Sequence, residues 1–259
     1  MATFPRARVL FAAVTTAGLL AGCGSEPDAS GPLPEPTRLL GKAAETSQRL
    51  QSAQFSVSVN GQLPGITVQS ADGALTRTPT GQVDAKGSAQ VQRSDQLVKL
   101  DYVLTGDTVY LRNPAGDLTE APATTVTSVY DPAILLDERR GVSNLLRRVD
   151  QARTEGRETI EGQETIRVGG KLSKEHAEAT IPGIEDTAPA DDQTDDQAVE
   201  EDQESQETIE VKFWLADSAA KEPVRAWFQL PPATKGSGAR MIELSLAKFN
   251  EPVTVNAPA

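Results

Sequence analysis

Few residues in this 259-residue chain have the chemistry to react, beginning with one cysteine and one histidine. Cys23 closes the stretch Leu20-Ala21-Gly22-Cys23 and precedes the polar run 24–36, "GSEPDASGPLPEP". Small residues before a cysteine that ends an apolar N-terminal run look like a bacterial lipobox. There the sulfur receives a diacylglycerol and the cysteine becomes the first residue of the mature chain. An ordinary cleaved leader with a chance cysteine is the alternative. Acylation leaves no thiol for a disulfide, a metal or a nucleophile. His176 lies among Lys174, Glu175 and Glu178, which reads as a solvated side chain. The sequence holds no Gly-rich phosphate loop, no Cys/His metal spacing and no Gly-x-Ser-x-Gly elbow. Two placed carboxylates could serve a hydrolase, but the acids outside one charged run fall on faces predicted to be wet. The chain reads as no enzyme, with no catalytic residues, cofactor or metal.

That charged run is residues 185–207, whose eleven Asp/Glu and absent Lys/Arg account for all but one of the chain's twelve net negative charges. With almost nothing to bury it cannot offset its ordering entropy, so it is expected to be a disordered loop between ordered elements. An acidic patch for calcium or a basic partner is the functional alternative. No basic stripe exists, which disfavours nucleic acid.

Ahead of Cys23, Arg6 and Arg8 precede an apolar run from Val9 to Leu20, so residues 1–22 read as a signal peptide. The run is shorter than the roughly 20 residues a spanning helix needs. Residues 23–36 then form a lipidated cysteine and a flexible tether, and 37–259 a single domain. Thirteen tether residues reach at most about 45 Å. The protein is expected to be exported and lipid-anchored at the outer face of the cell membrane.

Within the domain, residues 37–52 place Leu40, Ala43, Ala44, Ser47 and Leu50 at helical spacing. Alternation follows: Phe55, Val57 and Val59, then Ile66 and Val68 after a "NGQLPG" turn, then segments around 75–77, 87–92, 98–104 and 108–112. Asp131 as N-cap with Pro132 at the first helical position starts a helical stretch that Gly141 splits. A hairpin turns at Gly162, a helical patch covers 173–181, and three cleanly alternating strands hold Ile209 to Leu215, Val224 to Leu230 and Ile242 to Leu246. Trp214 and Trp227 fall on the outer face, where they are expected to form a structural cross-strand pair.

This gives roughly nine or ten strands and about 45 helical residues, too little helix to cover so much apolar sheet. Either the sheet closes, or the interior is an ordinary packed core, or an aliphatic cavity of the kind that holds a lipid remains. Alternation does not separate these. Ala89 and Gly87 within a strand fit a bend or a widened interior equally.

Three ordered motifs carry a family resemblance: "SVSVNGQLPGITVQSADGALT", "VYDPAILL" leading into "GVSNLL", and "EGRETIEGQETIRVGGKLS", behind the lipobox. In these the chain resembles the LppX/LprAFG family of actinobacterial envelope lipoproteins over nearly all of residues 33–255. The resemblance implies an α+β fold, a curved antiparallel sheet or half-barrel with helices on its concave side around a hydrophobic cavity. It implies a carrier of acylated lipids or glycolipids, such as lipoarabinomannan or triacylglycerol, across the periplasmic space. It also implies a major-facilitator transporter as partner, alongside the membrane itself through the anchor. On this reading Val57, Val59, Ile66, Val68, Ala89, Val91, Leu100, Tyr102 and Leu104 from strands, with Leu145, Leu146 and Val149 from a helix, line the lipid cavity. The alternative is a structural lipoprotein that docks on a transporter and carries nothing.

Overall fold

A computed structural model of the chain describes residues 27–61, 67–93, 96–124, 131–181, 208–230 and 240–258. Cys23, Ile66 and the acidic run 185–207 lie outside the described residues.

The first helix, α1 (Pro36–Gln48), begins where Glu35 accepts hydrogen bonds from the Thr37 and Arg38 amides, with proline at the first helical position. Its apolar stripe buries Leu39, Leu40, Ala43, Ala44 and Ser47. Eleven strands follow among the described residues: β1 (Ser52–Asn60), β2 (Val68–Arg77), β3 (Val83–Arg93), β4 (Gln96–Thr105), β5 (Thr108–Arg112), β6 (Leu118–Pro122), β7 (Asp150–Ile160), β8 (Gln163–Ser173), β9 (Thr208–Ala216), β10 (Pro223–Leu230) and β11 (Arg240–Ala247). Between β6 and β7 lie a 3-10 turn (Pro132–Leu136) and α2 (Val142–Arg147), and α3 (Lys174–Glu178) follows β8.

The strands form one antiparallel sheet in the order β6-β5-β4-β3-β2-β1-β11-β10-β9-β8-β7, so the sheet is open, with β6 and β7 as its edges. Inward residues from near both edges, Val109 of β5 and Leu172 of β8, join a single buried cluster with Leu40 of α1 and Leu146 of α2. A flat sheet of that width would keep those strands apart, so the sheet curves as a half-barrel around its helices. Asp131 caps as read, its carboxylate accepting from the Ala133 amide, but it starts a 3-10 turn. A Cβ at Gly141 would stand 2.5–2.7 Å from the carbonyls of Asp137, Ile134 and Leu135, which explains the break before α2.

Three expectations need correction. The edge strand β6 was not anticipated; its side chains are mostly exposed, so it carries no alternation signal. Trp214 and Trp227 do not pair: the β9–β10 register sets Trp227 opposite Lys212 and Trp214 opposite Arg225. Lys212 Nζ lies 5.4 Å from the Trp227 ring centroid, while Trp214 Nε1 donates to Glu158. The stretch before α1 does not hang free over its whole length, because from Pro27 onward it lies against β7.

Candidate functional site

The two sides of the concave face are built from different residues. Cross-strand registers trace one row of inward side chains from Leu100 through Ala89, Ala71, Val57, Leu244, Ala226 and Phe213 to Val168. A neighbouring row runs Leu111, Tyr102, Gly87, Gly73, Phe55, and the next Val109, Leu104, Ala85, Leu75, Ala53. Across all three, β2 and β3 contribute mainly Ala71, Gly73, Ala85, Gly87 and Ala89. A trough of small residues therefore runs between the larger walls of β1 and β4.

Burial falls along this trough. At the β2–β3 turn Leu75 and Ala85 are fully buried (0% exposed), beneath the 3-10 turn that Arg77 ties to β2 by donating to the Leu136 carbonyl at 2.6 Å. Leu104, in the same row, is 8% exposed. Two rows on, Leu100 is 9% exposed and its partner Ala89 half-buried, and in the last row Val59, Val91 and Val98 are half-buried beside Val68 at 5%. Apolar side chains lose about 25 cal/mol per Å² of stabilisation for area left in contact with water, so this end of the concave face is under-covered.

Tyr102 stands in the wall with its phenol oxygen 2.7 Å from where a Gly73 Cβ would be. Gly73 gives the phenol the room that a Cβ would take, and Gly87 lets β3 approach β2, since a Cβ there would meet the Asp72 carbonyl. The Tyr102 hydroxyl is sealed from solvent with no hydrogen-bond partner among the described residues. Burial, and secondarily the charge of Asp72, pushes its pKa up, so it stays a neutral donor.

The opposite half is filled. Ile166, Val168, Leu172, Val211, Phe213, Leu215, Phe228 and Leu230 are at most 1% exposed, and Phe213 meets Phe228 edge to face at 6.2 Å. On the outer face above them, Glu155 takes Arg167 at 2.7 Å, Arg153 at 3.3 Å and Lys212 at 3.6 Å. This network rests on β7, β8 and β9 and pins their register.

Of the predicted lining residues, Val57, Val59, Val68, Ala89, Val91, Leu100, Tyr102 and Leu104 all turn to the concave face around the trough. Leu145 and Leu146 are fully buried in the core, on a helix that packs against α1, and Val149 lies against Gly170 of β8 in the filled half. Sequence reading missed Ala71, Gly73 and Ala85, which carry no hydropathy signal and become a feature only through register. His176 is partnered, its Nδ1 lying 2.6 Å from Ser173 Oγ. Among the described residues no group of three or more His, Cys, Asp or Glu could hold a metal, and no helix is long and apolar enough to cross a membrane.

The model of the LppX_LprAFG lipoprotein family matches residues 35–255. The chain belongs to this family. Among LppX_LprAFG relatives, the lipoarabinomannan carrier protein LprG of Mycobacterium tuberculosis is 28% identical over 256 residues, covering 98% of this chain and 95% of that protein. The crystal structure of LprF from Mycobacterium bovis shares the fold at 24% identity with a TM-score of 0.68, over 91% of this chain and 100% of the other. That of the lipoprotein LppX from Mycobacterium tuberculosis does so at 20% identity with a TM-score of 0.59, over 85% and 98%. LppX_LprAFG members are lipoproteins, and the protein is one of them.

Proposed function

We propose that this protein carries acylated lipids or glycolipids in the trough between β1 and β4, moving them across the cell envelope while anchored to the outer face of the membrane by a lipid on Cys23. The graded exposure of the trough carries this reading: it is sealed under the 3-10 turn and under-covered at Val91 and Val98. An aliphatic surface with small residues at its floor can accept acyl chains of varied length. Each CH₂ transferred there from water contributes about 0.8 kcal/mol, so a diacyl ligand has ample driving force. The naming of the relative LprG as a lipoarabinomannan carrier supports a lipoglycan among the cargoes. A major-facilitator transporter fits as the membrane partner that delivers or receives the lipid.

The test is to purify the domain without its anchor, extract it with organic solvent and identify bound lipid by mass spectrometry. Diacyl or triacyl species in near-stoichiometric amount are the expected result. No co-purified lipid, together with no uptake of added diacylglycerol or glycolipid, overturns the reading and leaves the non-carrier docking protein.

A further inference from the structure

The residues just before α1 are fixed to an edge of the sheet. The Asp28 amide donates to the Arg157 carbonyl at 2.7 Å and the Arg157 amide donates back to Asp28 at 2.8 Å, a two-way bridge on β7. Thr154 Oγ1 donates to the Pro34 carbonyl at 2.7 Å and the Arg157 guanidinium to that of Pro32 at 3.2 Å. Glu35 then caps α1, so the segment is secured at both ends. Gly156 makes the seat: it has φ +152°, and a Cβ there would stand 2.8 Å from both the Asp28 carbonyl oxygen and the Pro27 Cβ.

We propose that residues 27–35 are a clasp that holds the β7 edge of the domain against the membrane surface. The proposal rests on the reading of Cys23 as the lipidated residue. Chain length supplies the argument. Five residue steps separate Cys23 from Asp28, a span of at most about 18 Å, whereas a tether free to residue 36 would reach about 45 Å. The clasp therefore confines the middle of β7 to the neighbourhood of the bilayer, with β6 at the other end of the sheet. Ten strand spacings separate those edges, about 48 Å if flat and less when curved. Exposed charge on this side is mixed, Lys42 lying 3.7 Å from Glu45 and Arg153 3.3 Å from Glu155, with Arg38, Glu35, Asp28 and Asp150 also exposed, so the anchor and the clasp rather than charge set the orientation. Covering β7 also masks an open edge that could otherwise pair with another chain.

The experiment uses the full lipidated protein on phosphatidylcholine/phosphatidylglycerol vesicles that carry an energy-transfer acceptor on a lipid headgroup. A donor dye is placed by Arg153→Cys on β7 or Glu120→Cys on β6, both exposed positions. Acylated Cys23 does not compete for the dye. Transfer several-fold stronger from position 153 than from 120 is expected, with the difference collapsing in Gly156→Val and in Asp28→Pro, which removes the bridging amide. Should Gly156→Val fail to fold, Asp28→Pro decides, since its residue lies outside the core. Equal transfer from the two positions, or a difference that survives Asp28→Pro, overturns the clasp. A parent protein that does not bind vesicles, behaving as Cys23→Ser does, overturns the anchor itself and the clasp with it.

Discussion

The half of the sheet from β8 to β11 and the half from β1 to β5 share strand direction, register continuity and an aliphatic composition, yet they differ in what stands on their inner faces. In the first, large side chains interdigitate until nothing shows: Phe213, Phe228 and Leu215 are each 0% exposed. In the second, two adjacent strands present Ala71, Gly73, Ala85, Gly87 and Ala89 where their neighbours present Leu, Val, Tyr and Phe. A protein interior packs at crystal density when its side chains can reach one another. Small residues in register deny that reach over one strip only. One sheet thus contains both a half filled by its own side chains and a strip that they leave less covered.

Truncating the same class of side chain on each half gives the largest contrast. Phe213→Ala should cost about 3–5 kcal/mol, because its neighbours cannot collapse into the space. Leu100→Ala, on a wall with an open side, should cost about 2 kcal/mol or less, since little new cavity is created. Urea unfolding of the lipid-free domain measures both. Equal costs would mean that the trough is as tightly filled as the rest. Enlargement reverses the contrast: Ala226→Trp overpacks the filled half by about 1–3 kcal/mol. Ala89→Trp should stay within about 1 kcal/mol of the parent while abolishing lipid loading. A stable Ala89→Trp protein that still loads lipid removes Ala89 from the proposed site.

The filled half was legible in the sequence because alternation of large apolar residues is a one-dimensional signal; Ile209, Val211, Phe213 and Leu215 announce their strand unaided. Only part of the trough was. Gly87 and Ala89 stood out as small residues within a strand, but Ala71, Gly73 and Ala85 mean something only once β2 is laid on β3. The same blindness to register put Trp214 beside Trp227, when the β9–β10 register sets each one opposite a charged neighbour. The Gly/Ser/Pro-rich run before α1 read as a loose tether because its attachment is made by backbone groups, which residue types do not report.

A smaller effect tests the trough's wall. The Tyr102 hydroxyl is buried with no partner among the described residues, and an unsatisfied buried donor costs about 1–3 kcal/mol. Tyr102→Phe keeps the ring over the two glycines and removes the cost. Thermal unfolding should show unchanged stability or a gain of about 1 kcal/mol, against the loss expected of a hydroxyl holding a native hydrogen bond. A loss of that size shows that the wall is closed by a bond here.

The smallest effect concerns the roof at the sealed end. Burial raises the pKa of Asp131 above its ordinary value, an effect the hydrogen bond from Ala133 only partly offsets. A carboxyl with a raised pKa in the folded state binds its proton more tightly folded than unfolded. Its charged form therefore opposes folding above the folded pKa, and that penalty disappears as pH falls through the folded pKa toward 3.8. Asp131→Asn keeps an oxygen for the Ala133 amide and removes the charge. It should stabilise the domain at pH 7 by about 0.5 kcal/mol, within the range of a surface change, and the gain should vanish near pH 4. A variant less stable than the parent at pH 7 would mean that the carboxylate charge itself holds the roof, so that the sealed end of the trough is fastened by electrostatics where the filled half is fastened by packing.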